Sequence, residues 1–107
     1  MEITLGPISA IPPGEGRMFE VGSERIAVFV TRDGRVFATQ AGCPHRGGPL
    51  ADGLVGGCTV ICPLHQQKFN LETGEPLGSY EGLRTYPVRL SAANQIVVKL
   101  GDNGAPP

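Results

Sequence analysis

Apolar positions fall in short blocks separated by Gly, Pro, Asn and Asp, the rhythm of brief strands joined by tight turns. Residues 3–5 form the first predicted strand, followed by Gly6-Pro7 and the loop Ile11-Pro12-Pro13-Gly14. A second strand is expected over 18–21. Over 25–31 both alternating sets are apolar, Ile26, Val28 and Val30 against Ala27 and Phe29, which predicts a central strand buried on two sides. Asp33-Gly34 predicts a type I′ hairpin turn, and 35–39 its returning strand. Residues 40–82 change character, with glycines at 42, 47, 48, 53, 56 and 57 and prolines at 44, 49 and 63. Regular structure there should be brief: a strand at 59–61, a return at 67–71 and a turn at Thr73-Gly74. Strand pattern resumes over 85–90 and 95–100, around the hairpin Ala92-Ala93-Asn94. The sequence predicts an all-β protein with no amphipathic helix.

With 107 residues the chain is expected to be a single domain, 1–107. Its organisation reads as a small barrel or sandwich base, 1–40 and 83–101, carrying an insertion of small hairpins, 41–82. The polar end, 102–107, should fray. Sixteen Gly and ten Pro scattered between apolar runs suit many turns and not disorder. A formal net charge of −1 gives no basic surface for nucleic acid or an anionic membrane. No apolar run approaches a membrane span, and Met1-Glu2-Ile3-Thr4 lacks the pattern of a secretory signal. Three cysteines are an odd number, and two lie beside histidines, so a cytoplasmic metal protein is expected in preference to a disulfide scaffold.

The chemistry concentrates in two matched stretches, Cys43-Pro44-His45 and Cys62-Pro63-Leu64-His65. Together they offer two thiolates and two imidazoles. That set suits a two-iron, two-sulfide centre in which Cys43 and Cys62 hold one iron and His45 and His65 the other. Imidazole donates less charge than thiolate, so the reducing electron should settle on the histidine-held iron. Proline at 44 and 63 presets φ and removes a backbone donor, and the glycines let N–H groups approach sulfur. Buried cysteines that merely pack are the plain alternative, which the doubled motif disfavours. A mononuclear zinc site is the metal alternative, and a zinc-stabilised binding module the function it would imply. The single-residue gap in Cys43-Pro44-His45 is shorter than structural zinc pairs usually have.

Cys43-Pro44-His45-Arg46-Gly47 with Leu50, followed by Cys62-Pro63-Leu64-His65, resembles the signature of the Rieske [2Fe–2S] family. Ala51-Asp52-Gly53, Lys68-Phe69-Asn70, Thr73-Gly74 and Leu83-Arg84-Thr85-Tyr86-Pro87-Val88 extend the likeness. They resemble the family's ferredoxins and the small subunits of bacterial NAD(P)H-dependent nitrite reductases. The resemblance implies a Rieske-like fold of three antiparallel sheets with the cluster at one tip. It also implies a carrier that takes one electron from an NAD(P)H-dependent flavin reductase and passes it to a redox enzyme. Two settings follow: a nitrite reductase small subunit relaying electrons to sirohaem beside its large subunit, or the ferredoxin of a ring-hydroxylating oxygenase. No catalytic residues are identified, and no turnover by the chain alone is expected.

Departures from the pattern refine this. Respiratory relatives carry a further cysteine in each loop, joined as a disulfide; the corresponding places here hold Gly48 and Leu64. Those relatives also follow the second histidine with Ser and Tyr, which donate hydrogen bonds to sulfur. Here Gln66, Gln67, Lys68 and Phe69 stand there, and Phe69 has no hydroxyl. Fewer donors stabilise the reduced cluster less, which places the expected potential near the low end of the Rieske span, about −150 mV. Gln66-Gln67 replaces a Gly-Trp pair of many relatives, with no role evident from sequence. Cys58 is expected to be a buried structural thiol. Leu50 and Pro63 are expected to cover the cluster, and 75–82 to form either a third covering loop around Tyr80 or a plain surface turn.

Overall fold

The computed structural model describes residues 2–44, 48–64 and 66–100. Ten strands run in chain order: β1 Glu2–Pro7, β2 Glu15–Val21, β3 Glu24–Val30, β4 Val36–Gln40, β5 Leu54–Gly56, β6 Thr59–Ile61, β7 Lys68–Asn70, β8 Thr85–Tyr86, β9 Val88–Leu90 and β10 Gln95–Lys99. They build three antiparallel sheets, ordered β1-β10-β9, β2-β3-β4-β8 and β5-β6-β7. No α-helix occurs among the described residues, only single 3-10 turns at Ile8–Ala10 and Leu50–Asp52.

Strand β3 is the wall between two cores, and its sequence explains why. Side chains alternate across a strand, so Ile26, Val28 and Val30 face one way and Ala27 and Phe29 the other. The first set packs with Ile11, Ala38, Tyr86, Ile96 and Val98 in the base, between the sheets of β3 and β10. The second set packs with Leu50, Val55, Val60, Phe69 and Leu71, and with both Cys43 and Cys62. All five residues, 26–30, are buried. A strand apolar on both faces is therefore what holds the cysteine-bearing part onto the base, and burying Phe29 alone stabilises by about 1.5–3 kcal/mol.

The connections differ in detail from what the sequence indicated. The Asp33-Gly34 hairpin is present, but only Gly34 has positive φ, 87°. Gly34 N–H donates to Thr31 O at 3.0 Å and Thr31 N–H to Arg35 O at 2.8 Å, a type I turn closed by a left-handed glycine in place of type I′. Thr31 Oγ1, bonded to Asp33 and to Arg35 N–H, holds that shape. The expected strand over 85–90 is two strands in different sheets. β8 pairs with β4 and β9 with β10, because Pro87 between them lacks an N–H to continue the ladder. Strand β5 was not expected; it pairs with β6 through Leu54, Val55 and Gly56.

Candidate metal centre

The two cysteine loops close in the same way. Cys43 N–H donates to Gly48 O at 2.9 Å, and Cys62 N–H donates to Gln67 O at 2.8 Å, in each case five residues further on. Leu50 N–H to Ala41 O (3.0 Å) and a Gly42–Pro49 bridge tie off the base of the first loop. In the second, Gln66 N–H returns to Cys62 O at 3.0 Å, with Gln66 itself in the left-handed region at φ 58°. Between the paired ends lie His45 and His65, which fall outside the described residues, as do Arg46 and Gly47. The structure thus places Cys43 and Cys62, with relative exposures of 3% and 0%, in one buried cluster. Neither is in a disulfide.

Gly48 and Leu64 face each other across the loops. A Cβ built on Gly48 would lie 3.0 Å from Leu64 Cγ and 3.0 Å from Cys62 Sγ. The two positions that correspond to a disulfide in respiratory relatives are thus adjacent here, holding glycine and leucine. Glycine at 48 also puts no side chain of its own against the Cys62 sulfur. Leu50 is fully buried beneath the loops, whereas Pro63 is exposed and Leu64 retains 55% of its surface.

Further residues brace the loops from outside. Gln40 Nε2 donates to Gly42 O at 2.8 Å, just ahead of Cys43. Tyr80 Oη donates to Lys68 O at 2.8 Å and accepts from Lys68 N–H at 2.7 Å, and its ring meets the Phe69 ring edge-on at 5.4 Å. Tyr80 and Glu81 share a cleft of about 300 Å³ with Pro44 and Gln67, so the 75–82 segment lies against both cysteine loops. Gln67 also places its side-chain Oε1 3.3 Å from Cys43 Sγ. Sequence reasoning singled out Tyr80 and Gln67 without contacts, and it missed Gln40 altogether, since a glutamine ending a strand carries no distinctive signal.

Cys58 differs from expectation. It is half-buried at the β5–β6 turn, and Arg35 Nη2 donates to its sulfur at 2.8 Å. Arg35 also pairs with Asp33 at 3.0 Å and lies over the Phe37 ring at 5.5 Å. Asp33 first, then Cys58, holds the guanidinium above its ordinary pKa. This thiol faces a cation at the surface and does not fill the core.

A model of the Rieske [2Fe-2S] domain matches residues 2–87. The chain belongs to the Rieske [2Fe–2S] domain family. It is 33% identical over 93 residues to the biphenyl dioxygenase ferredoxin subunit of Pseudomonas sp. strain KKS102, covering 84% of both chains. Among solved structures it superposes on the ferredoxin bound to reduced oxygenase in carbazole 1,9a-dioxygenase, with a TM-score of 0.83 and 26% identity. That match covers 99% of this chain and 95% of the other. A chain provisionally assigned as the NADH-dependent nitrite reductase small subunit of Mycobacterium tuberculosis gives a TM-score of 0.87 at 24% identity. It covers 95% of this chain and 97% of that one, and speaks for the fold alone.

The cofactor that this Rieske membership implies is a Rieske-type [2Fe–2S] cluster, and the described residues fit it. Two buried thiols outside any disulfide reach one site from two loops of matching closure, and Gly48 puts no side chain of its own against one of them. No helix among the described residues is long and apolar enough to cross a membrane.

Proposed function

We propose that this Rieske protein is a one-electron carrier, the ferredoxin component of an aromatic-ring oxygenase system. In this reading Cys43 and Cys62 hold one iron through thiolate sulfur, and His45 and His65 hold the other through imidazole nitrogen. The observation that carries the reading is the pair of buried cysteines at the start of matched loops, Cys43–Gly48 and Cys62–Gln67, each with a histidine inside it, two residues after Cys43 and three after Cys62. The bound group would supply reversible one-electron chemistry between ferric and ferrous iron.

The residues of this chain fix and insulate that chemistry. The loop closures at Cys43–Gly48 and Cys62–Gln67 preset the spacing of the thiolates, so little reorganisation accompanies a change of charge. Leu50, Val60 and Phe69 pack beneath them and exclude water from the thiolate side. Leu64, exposed beside the second loop, gives an apolar surface on which a redox partner can seat. The donor in this scheme is an NAD(P)H-dependent flavin reductase and the acceptor a terminal oxygenase.

Support for the oxygenase setting is the identity to dioxygenase ferredoxins over most of both chains. A second reading, the small subunit of an NAD(P)H-dependent nitrite reductase passing electrons toward sirohaem, draws on the likeness to a solved chain assigned as an NADPH nitrite reductase small subunit, with a TM-score of 0.82 at 26% identity. The two are separated by reducing the purified protein and mixing it with each acceptor. Rapid reoxidation by a ring-hydroxylating oxygenase with its aromatic substrate supports the first. Reoxidation only by a sirohaem-containing large subunit with nitrite replaces it with the second.

A further inference from the structure

Gln67 spans both cysteine loops. Its main-chain carbonyl accepts the Cys62 N–H at 2.8 Å, and its side-chain amide reaches the opposite loop, with Oε1 3.3 Å from Cys43 Sγ. In this contact the thiol donates to the amide oxygen. A thiolate bound to iron has no proton to donate, and its negative charge would then oppose a carbonyl dipole. A half-turn of the terminal amide exchanges oxygen and nitrogen at nearly the same positions, because the two differ little in shape. The contact then becomes an N–H donated to sulfur, a hydrogen bond to a charged acceptor and hence one of the stronger kind.

We propose that Gln67 donates a side-chain N–H hydrogen bond to Cys43 sulfur in the cluster-bearing protein and raises its reduction potential. The proposal rests on the reading of Cys43 as a thiolate ligand. Two nearby aromatic residues cannot substitute. Phe69 has no hydroxyl and is fully buried, and the Tyr80 hydroxyl is engaged by both main-chain groups of Lys68. Gln67 also borders the cleft of about 300 Å³ with Pro44, Tyr80 and Glu81, which leaves water within reach of its exchanged carbonyl. Because reduction adds negative charge, a donor to sulfur stabilises the reduced state more than the oxidised one. Gln67 is a positioning and tuning residue, not a ligand.

The test is potentiometric titration of the reconstituted holoprotein, wild type against Gln67→Met and Gln67→Glu. Methionine keeps the length and removes the donor, while glutamate keeps the shape and puts anionic oxygen against sulfur. The midpoint should fall in Q67M by an amount equal to about a tenfold change in the oxidised-to-reduced ratio, 59 mV for one electron. In Q67E it should fall further. Midpoints equal to wild type with an unaltered visible spectrum overturn the proposal. Should either variant fail to assemble, the wild type labelled with glutamine carrying ¹⁵N in its side chain gives the answer by pulsed electron paramagnetic resonance of the reduced protein. A weakly coupled side-chain nitrogen is expected, and its absence overturns the proposal. Normal cluster assembly in Cys43→Ser would instead defeat the ligand reading on which the proposal stands.

Discussion

Gln40 and Arg84 are joined twice: Gln40 N–H donates to Arg84 O at 2.9 Å, and Arg84 N–H donates to Gln40 Oε1 at 2.8 Å. With Gln40 Nε2 on Gly42 O, one side chain fastens the end of β4, the returning chain and the entry to the Cys43 loop. Gln40→Ala leaves the Arg84 N–H and the Gly42 carbonyl to water, at a cost of about 1–2 kcal/mol. Thermal unfolding of the holoprotein should show that loss, and Gln40→Glu, which keeps the acceptor but not the donor, should lose less.

Gln66 sits at φ 58°, where a side chain meets its own backbone and glycine does not. Gln66→Gly should relieve that crowding, offset in part by the greater freedom of glycine in the unfolded chain. The net effect expected is between neutral and about 1 kcal/mol more stable. A melting temperature at or above the wild-type value agrees with this, and a clear drop would mean that the Gln66 side chain contributes an interaction of its own.

At Gly48 a methyl group should be felt by the cysteine loops themselves. Its added carbon would sit 3.0 Å from Cys62 Sγ and from Leu64 Cγ and Cδ1, closer than ordinary packing allows. Gly48→Ala should therefore cost about 1–3 kcal/mol of stability and lower iron retention. Adding Leu64→Ala removes one of the two neighbours and should restore part of the loss. Iron content per chain after gel filtration reads both effects.

These positions also mark how far the sequence could be read. The double burial of β3 was legible because Ile26–Val30 left no polar face, and the matched loops were legible because cysteine and histidine recur with proline. The type of the 31–35 turn was not, because Thr31 sets it from outside the Asp33-Gly34 pair. The division of 85–90 into two strands was not legible either, because the sheet that each half joins depends on partners distant in sequence. Cys58 looked like any small apolar residue until Arg35, 23 positions away, was seen to reach it. The contact between Gly48 and Leu64 depends on how the two loops meet, which spacing alone does not convey.

Asp33 gives a pH signature. The Thr31 hydroxyl bond first, then Arg35, holds its carboxyl below the ordinary value of 3.8. A depressed carboxylate contributes stability that is fully present above its unfolded pKa and lost as pH falls through the folded one. Acid unfolding of the wild type should therefore steepen below about pH 4. Asp33→Asn should be less stable at neutral pH and should flatten that part of the profile, as followed by far-ultraviolet circular dichroism. Equal slopes in the two proteins would show that Asp33 is not linked to folding.

The central claim is a two-iron cluster held by two cysteines and two histidines and working as a one-electron carrier. Coulometric titration of anaerobically reconstituted protein, with iron and acid-labile sulfide assayed on the same sample, tests it most directly. The expected result is about two irons and two sulfides per chain, one electron taken up, and a midpoint near −150 mV. A colourless chain binding one zinc, or a midpoint well above zero, would contradict the account.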